Sequence, residues 1–499
     1  MASIARGSAR GSAQAVRSFL YFGKASKQLI CTRGCRFASS DAAPAPQRII
    51  PAPRLDYRGV SENIVYKSTN ALNRKAPIPS DAMQSVARAY TELKSLYHAL
   101  NAQRNARSVV GERIRRSAEE NNTEARDVAL AEALKIKEEI LRLEPALLSV
   151  EENLLALALA IPNDTHPSSP LGPESAAVTL STHGPELIPA TPERDHVTIA
   201  RKFGLVDFEG AAIVTGSSWY YLMNEAALLE MALTNYALSI AVKHGFTPVT
   251  TPDVVRSDVA SRCGFQPRDN PLSPASQVYH INSKSQDLIL SATSEIPLGG
   301  MFANKIFTEM ALPLKVVGLG RAFRAEAGAR GADTRGLYRV HQFTKVELFM
   351  VTKPEDSEKM MEDMRAIQTA ILNGLGLPFR VLDMPSEELG ASAYRKYDME
   401  VWMPGRGAWG EVSSLSNCTD YQSRRLHIRY ETHSRTATKP TAFTHTLNGT
   451  AAAIPRLIIA LLENGATFDE QGELVGIALP EALRPFWIGG SSRTIIQWQ

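Results

Sequence analysis

Cysteine is scarce in this chain of 499 residues, which contains four: Cys31, Cys35, Cys263 and Cys418. Two of them lie within the first 40 residues, and the other two are far apart in the sequence. So few thiols exclude a disulfide framework and a cysteine-rich zinc site. Long apolar runs are also lacking, since the run from Leu154 to Ile161 is far too short to span a bilayer. We therefore expect a soluble protein without a membrane partner.

Acidic residues are absent from the first 40 positions, which hold seven serines and seven basic residues. A basic, serine-rich and acid-free N-terminus is typical of a mitochondrial transit peptide. The sequence therefore predicts a transit peptide over residues 1–40 and a location in the mitochondrial matrix. A basic tail without a targeting role is the alternative. The basic residues are Arg6, Arg10, Arg17, Lys24, Lys27, Arg33 and Arg36.

Length and composition predict two folded units. The chain is too long for one average domain, and its apolar content of 44% supports a sizeable core. The net charge of +3 is nearly neutral, so it does not by itself indicate a nucleic-acid partner. We expect a helical domain over residues 41–165, a linker rich in Pro, Ser, Thr and Gly over 166–193, and a larger mixed domain over 194–499.

Apolar residues alternate at spacings of three and four in two segments of the N-terminal domain. Such heptads predict two long helices in an antiparallel coiled-coil hairpin. We expect the turn near residues 120–122, with Thr123 as a candidate cap, and a kink or a lost hydrogen bond at Pro145 inside the second helix. The seam positions are Val86, Tyr90, Leu93, Tyr97 and Leu100, then Ile136, Ile140, Leu143, Leu147, Val150, Leu154, Leu157 and Ile161.

Arginines concentrate toward the end of the first hairpin helix, where five of them accompany one acid, Glu112. A basic end on a projecting hairpin is a candidate surface for RNA phosphates. A solvated helix face is the alternative. The candidate RNA-binding residues are Arg104, Arg107, Arg113, Arg115 and Arg116.

Short strand-like runs alternate irregularly with helical segments after residue 193. Examples are residues 247–249, 288–290 and 315–318, which favour an antiparallel-sheet α+β domain over a doubly wound parallel one. The chain lacks a Gly-x-x-x-x-Gly-Lys-Ser/Thr loop and a Gly-x-Gly-x-x-Gly turn after a strand. Any nucleotide must therefore be bound in another way.

An arginine-rich stretch from Gly318 to Phe349 is the candidate for binding a nucleotide. Phe-Arg-Ala-Glu at 323–326, followed by a loop with Arg330, resembles motif 2 of the class II aminoacyl-tRNA synthetases. Residues 448–464 resemble motif 3. The helix that ends near residues 244–246, with the following residues 250–252, resembles motif 1, the dimer element of these enzymes. Four further stretches resemble the seryl-tRNA synthetase family: residues 293–298, 333–343, 345–347 and 411–425.

The resemblance covers residue 83 to the C-terminus and implies a fold and an activity. The fold is an antiparallel catalytic sheet flanked by helices, preceded by the coiled-coil hairpin, in a homodimer formed through motif 1. The reaction is activation of L-serine with ATP to seryl-adenylate, followed by transfer of serine to the 3′ end of tRNA(Ser). Because the serine carboxylate attacks the α-phosphate, cations must offset the repulsion of two anions.

By this resemblance, Arg324 bridges the serine carboxylate and the α-phosphate, and Arg456 reaches the γ-phosphate. Glu326 binds the adenine amino group, with Val340 and Phe343 beside the ring. Mg²⁺ at the phosphates is bound by the hard oxygen ligands of Glu411 and Ser414. Serine is bound by Thr293 and Glu295 at its ammonium, and by Glu347 and Thr450 at its hydroxyl.

Two departures from motif 3 concern Ala451 and Pro455, which stand where the family usually has glycines. Proline removes an amide donor, so the departure bears on ATP binding and on the start of the helix. An inactive paralogue that acts as an RNA-binding or regulatory protein is the alternative to an active ligase. A class II synthetase for threonine or proline is a third reading.

Overall fold

One large sheet and one pair of long helices organise the residues described by the computed structural model, which are 50–265, 278–283, 286–326, 335–432, 440–489 and 495–499. These described residues belong to one compact unit. The predicted transit peptide, together with Arg330, Asp333 and Thr334 of the motif 2 loop, lies outside them. Within the described residues, no helix is long and apolar enough to cross a membrane.

The N-terminal region is a helical hairpin, as predicted. The hairpin helices are α3 (Ala82–Glu119) and α4 (Thr123–Leu159), preceded by α1 (Tyr57–Glu62) and α2 (Ile64–Asn73). The N-cap of α4 is Asn122, whose side chain accepts a hydrogen bond from the Ala125 amide, so the predicted cap at Thr123 was wrong by one residue. Helix α4 continues through Pro145.

The hairpin seam follows the predicted heptads with one exception. Val86, Leu93 and Leu100 of α3 are buried against Ile136, Ile140, Leu143, Leu147 and Leu154 of α4. Tyr97 was predicted in the seam, but it is 41% exposed and its hydroxyl hydrogen-bonds Glu151. A tyrosine at a seam position can direct its hydroxyl outward to a polar partner while its ring covers the helix.

The larger region is built on an eight-stranded sheet, in the order β1-β11-β12-β13-β16-β10-β9-β4, antiparallel except for the β4–β9 pair. This confirms the α+β prediction. Its strands are β1 (Val178–His183), β4 (Thr247–Thr250), β9 (Leu314–Phe323), β10 (Gln342–Thr352), β11 (Phe379–Asp383), β12 (Arg395–Met403), β13 (Ala408–Asn417) and β16 (His445–Ala453).

The range 166–193, predicted as a linker, contributes a strand to this sheet. Strand β1 pairs with β11 at the sheet edge. Short polar strands at an edge carry a weak sequence signal, because only one side of the strand is paired and its residues are largely exposed.

Smaller sheets and helices surround the large sheet. The remaining strands are β2 (Val206–Asp207), β3 (Tyr221–Leu222), β5 (Val254–Arg256), β6 (His280–Ile281), β7 (Leu288–Leu290), β8 (Ile306–Phe307), β14 (Arg429–Glu431), β15 (Thr441–Phe443), β17 (Ala466–Phe468), β18 (Leu474–Leu479) and β19 (Ile496–Trp498). The remaining helices are α5 (His196–Phe203), α6 (Phe208–Thr215), α7 (Asn224–Lys243), α8 (Ser257–Arg262), α9 (Glu295–Met301), α10 (Ser357–Gly374), α11 (Tyr421–Leu426) and α12 (Ile454–Gly465).

Alternation along β10 separates the core from the site. Val346, Leu348 and Met350 join the main core with α7, α10 and α12. Successive side chains of a strand point to opposite faces, so Lys345 and Glu347 point away from those helices. The functional face of the sheet is therefore the one that the long helices leave open.

Candidate active site

A cleft lies over the open face of the sheet, between the return segment of motif 2 and the start of α12. Polar and charged side chains dominate its wall, as expected for a site that binds a nucleotide. Eight residues predicted from the sequence line it: Arg324, Glu326, Val340, Phe343, Glu411, Ser414, Thr450 and Arg456.

Arg324 follows the last residue of β9 and points into this cleft. Its guanidinium carbon lies 5.5 Å from the centre of the Phe343 ring, and its Nε donates to the Ala292 carbonyl at 3.4 Å. Burial, followed by repulsion from Arg456, lowers the pKa of the Arg324 guanidinium from its usual value. Two cations therefore face each other in the cleft, an arrangement that an anionic ligand would stabilise.

Glu326 lies two residues further along, where the backbone takes a left-handed φ of 45°. Residues other than glycine adopt this conformation at a cost, and such strain concentrates at functional sites. Arg339 NH1 donates to Glu326 Oε2 at 3.1 Å, which fixes the carboxylate at the edge of the cleft.

Arg456 stands in the first turn of α12 and connects the two walls. Its Nε donates to the Tyr338 carbonyl at 3.3 Å, and its NH1 donates to the Glu411 carbonyl at 2.8 Å. Pro455 occupies the first turn of the helix as well, where amide groups have no partner inside the helix. The proline therefore costs the helix no intrahelical hydrogen bond, and the effect of Pro455 on ATP binding stays a prediction.

A bulge in β13 explains how Glu411 and Ser414 reach the same cleft. Residues three apart on a regular strand lie on opposite faces, but the register of β13 against β12 shifts between Glu411 and Ser413. Burial opposes ionisation of Glu411, but Arg456 and then Lys396 overcome it and lower the pKa of Glu411. A carboxylate and a hydroxyl are thereby offered together as hard oxygen ligands.

A second bulge, in β16, places Thr450 directly opposite Glu347. Thr450 pairs with Glu347 and Ala453 pairs with Lys345, so Ala451 is accommodated by the register shift between these pairs. Side chains directly opposite on neighbouring strands have Cβ atoms about 5 Å apart. Ala451, at the departure from the usual glycine, is 2% exposed in the main core and does not face the cleft.

Glu347 forms a buried ionic cluster with Lys345. Lys345 Nζ lies 2.6 Å from Glu347 Oε2 and donates to Thr293 Oγ1 at 3.0 Å. Glu347 is 2% exposed, and within the described residues its Oε2 has no hydrogen bond of good geometry. A buried carboxylate oxygen that retains accepting capacity suits a small hydroxyl ligand.

Glu295 completes this pocket from α9. Its Oε1 accepts from Gln422 Nε2 at 2.6 Å and from Asn448 Nδ2 at 3.0 Å. Burial and then the charge of Glu347 raise the pKa of Glu295 to about 7. A ligand ammonium beside the carboxylate would lower that pKa again, because an opposite charge favours ionisation.

Comparisons with known proteins identify this arrangement. The serine–tRNA ligase of Treponema denticola is 40% identical over 436 residues, which are 87% of this chain and 98% of that protein. The mitochondrial serine–tRNA ligase of Schizosaccharomyces pombe is 39% identical over 439 residues, 87% and 88% of the two chains. The chain belongs to the seryl-tRNA synthetase family.

A family profile and a solved structure agree with this assignment. Residues 279–465 match the tRNA synthetase class II core domain (G, H, P, S and T). The seryl-tRNA synthetase of Pyrococcus horikoshii, solved in complex with ATP, superposes with a TM-score of 0.76 at 33% identity over 87% of this chain and 98% of that one. The hairpin and the catalytic sheet therefore have the class II seryl-tRNA synthetase architecture.

Several polar residues of this seryl-tRNA synthetase site were not singled out from the sequence. Lys345 lay inside a stretch that resembled the family, but it received no role. Gln422 and Asn448 were also unassigned, although they hold Glu295 across 127 and 153 residues of sequence. Alternation along β10 was the one available signal for Lys345, since it shares a face with Glu347. Contacts as distant in sequence as those of Gln422 leave no local pattern.

The predicted RNA-binding arginines do not line this cleft and occupy exposed positions of α3. Two of them pair with glutamates of α4: Arg104 with Glu144 at 3.0 Å, and Arg113 with Glu132. Arg115 pairs with Glu112 at 3.2 Å. More glutamates lie near these arginines than the sequence of α3 alone indicates, because Glu132 and Glu144 belong to α4. The other two candidates are Arg107 and Arg116.

Proposed function

We propose that this chain activates L-serine with ATP to seryl-adenylate and transfers serine to the 3′ end of tRNA(Ser). The observation that carries the proposal is the position of Arg324 between two sets of charged groups. Arg324 lines a cleft with other cations, and its charge also interacts with Glu295 and Glu347, which together with Thr450 we call the acidic pocket. A zwitterion with a hydroxyl side chain fits the acidic pocket group by group.

Activation requires alignment of two anions, and the side chains supply it. Arg324 binds a serine carboxylate oxygen and the α-phosphate together, so the carboxylate attacks phosphorus and pyrophosphate leaves. The positive charges of Arg324 and Arg456 offset the charge that builds up on the phosphates. Phe343 supports the adenine ring, with Val340 beside it, and Glu326 accepts from the adenine amino group.

Mg²⁺ would be held by Glu411 and Ser414, whose hard oxygens fit the ion. Within the described residues, no group of three or more His, Cys, Asp or Glu side chains could hold a metal alone. Magnesium commonly keeps few protein ligands and takes its others from water and substrate phosphates. When bound, it would neutralise phosphate charge; alignment of the carboxylate remains the work of Arg324.

Serine recognition follows from the polar groups of the acidic pocket. Glu295 and the Thr293 hydroxyl accept from the ammonium, and Glu347 with Thr450 binds the hydroxyl. Alanine would leave these buried groups without partners, which costs roughly 10⁴-fold in selectivity at sites built for a hydroxyl.

Transfer of serine requires the tRNA to reach the same carbonyl, with the 3′-terminal ribose hydroxyl attacking and AMP leaving. The hairpin projects arginines of α3 that can contact tRNA phosphates. We propose that they bind the body of the tRNA and orient its acceptor end toward a catalytic cleft.

A homodimer through motif 1 is also part of the proposal. Large apolar side chains are exposed around α6, β3 and α7, including Ile213 at 87%, Val214 at 67% and Met231 at 49%. Apolar residues exposed in one region are typical of an interface. The hairpin of one subunit could then serve the cleft of the other.

Location and domain organisation complete the proposal. Residues 1–40, basic and free of acids, would direct the chain to the mitochondrial matrix for translation there. The mature protein would consist of the hairpin domain over 41–165, a connection over 166–193 that includes β1, and the catalytic domain over 194–499.

Charging of a tRNA(Ser) transcript tests the two halves of this function separately. A variant in which a short Gly-Ser turn replaces residues 105–143 removes the outer hairpin at matched positions, because Arg104 and Glu144 face each other. We expect loss of tRNA charging with serine-dependent pyrophosphate exchange retained. Equal loss of both activities in a folded variant would refute the claim that the outer hairpin serves tRNA charging and not serine activation. Pyrophosphate exchange without tRNA charging in the full chain would refute the proposed ligase activity.

A further inference from the structure

A buried carboxylate outside the cleft connects its two walls. Glu463, near the end of α12, is 0% exposed. Its Oε2 accepts from the Gly405 amide at 2.8 Å and the Arg406 amide at 3.0 Å. Its Oε1 lies 2.9 Å from His196 Nδ1 and 3.3 Å from the His196 amide nitrogen. A buried carboxylate is costly unless donors surround it, and here four donors do.

The first arm of this network runs through His196 to the return segment of motif 2. Because Glu463 is acceptor-only, His196 Nδ1 donates to it, which leaves Nε2 as an acceptor. The Leu337 amide donates to that Nε2 at 3.3 Å. Gly336 makes the approach possible, since its φ is +70° and a Cβ there would lie 2.2 Å from His196 Nε2.

The second arm reaches the neighbouring residue through Arg406. The Arg406 guanidinium carbon lies 3.8 Å from the centre of the Tyr338 ring, and that of Arg456 lies 4.6 Å from it. Arg456 Nε also donates to the Tyr338 carbonyl. Both arms from Glu463 therefore end on residues 337–338, which line the cleft immediately before Arg339 and Val340.

We infer that Glu463 and His196 are positioning residues for ATP, which hold the motif 2 return segment against α12 so that Arg456, Arg339 and Val340 present a preformed nucleotide wall. The inference rests on the proposed function. Neither side chain lines the cleft, and the serine pocket of Glu295 and Glu347 is attached to other elements. Loss of the network should therefore weaken ATP binding and spare serine binding.

Two variants of His196 separate this role from a merely structural one. In His196→Asn, the shorter amide can still donate to Glu463 but cannot reach the Leu337 amide. In His196→Gln, the side-chain carbonyl reaches the position of Nε2 and can accept from Leu337, and the backbone amide of residue 196 still donates to Glu463. Glu463→Gln provides a third variant, which keeps the volume but replaces an acceptor by a donor facing amides.

ATP–pyrophosphate exchange, with ATP and serine varied separately, provides the test. We expect His196→Asn to raise the KM for ATP about 10-fold, the effect of one lost buried hydrogen bond. The KM for serine should stay within about 2-fold of the wild-type value. The KM for ATP of His196→Gln should return most of the way to the wild-type value, because this variant keeps the hydrogen bond from the Leu337 amide. Equal changes in both KM values, or equal KM values for ATP in the Asn and Gln variants, would overturn the inference. Failure of the wild type to exchange with serine would instead refute the proposed function.

Discussion

Replacing Glu347 by glutamine tests the serine pocket most sharply. The substitution keeps the shape of the side chain but removes the charge that lies 2.6 Å from Lys345 Nζ and opposite Thr450. A hydrogen bond to a charged group contributes about 1.5–3 kcal/mol. Since about 1.4 kcal/mol corresponds to a tenfold change, kcat/KM for serine should fall about 10- to 100-fold. The KM for ATP should change little, because Glu347 does not line the nucleotide cleft.

The same substitution has a separate effect on stability. Lys345 is 8% exposed and would keep a buried charge without its carboxylate, which costs roughly 3–5 kcal/mol when one partner of a buried pair is removed. A double variant, Glu347→Gln with Lys345→Met, removes both charges. It should regain most of the lost free energy of unfolding, whereas serine activation should stay low.

Pyrophosphate exchange with serine, together with urea unfolding of each variant, distinguishes the two effects. Glu473→Gln is the matched control, since the Glu473 side chain is 74% exposed and does not line the cleft. A Glu347→Gln protein with wild-type kcat/KM for serine would refute the assignment of Glu347. Activity that returns with stability in the double variant would show that the first loss was structural.

Three further predictions concern pH, RNA and the domain junction. The pKa of Glu295 is raised to about 7, so its protonated fraction grows as the pH falls through 7 and kcat/KM for serine should drop; Glu295→Gln should show a low, pH-independent value over that range. The double variant Arg107→Glu, Arg116→Glu should raise the KM for tRNA more than Arg104→Glu does, because Arg104 of the wild type is already paired with Glu144. Equal KM values for tRNA in charging assays of the two variants would contradict this. Arg74 is 2% exposed and donates to the carbonyls of Ala393 and Gly390, so it joins the helical region to the catalytic region. Arg74→Met should lower the free energy of unfolding in urea by roughly 2–3 kcal/mol. An unchanged unfolding midpoint would contradict this role of Arg74.

Regular patterns made the hairpin predictable from the sequence. Heptad spacing identified the seam from Val86 to Leu154 because every seam position meets the same partner helix. The spacing could not show that Tyr97 turns its hydroxyl to Glu151, since period alone does not distinguish a buried ring from one at the margin. It also could not show that glutamates of α4 face the arginines of α3.

Most residues that line the candidate site were predictable as a set, but their geometry was not. Arg324, Glu347 and Arg456 were recognisable within their motifs. The two bulges that bring Glu411 beside Ser414, and Thr450 opposite Glu347, depend on pairing between strands distant in sequence. The buried network of Glu463 likewise joins elements separated by 267 residues, which no local window contains.

The central claim is selective activation of serine, and amino-acid-dependent ATP–pyrophosphate exchange measures it most directly. Protein lacking residues 1–40 would be assayed with serine, threonine and alanine at equal concentrations, with Arg324→Ala as the inactive reference. The account predicts exchange with serine, exchange with threonine and alanine lower by orders of magnitude, and none above background in the Arg324 variant. Comparable exchange with threonine or alanine, or no exchange in a folded protein that binds tRNA, would contradict it.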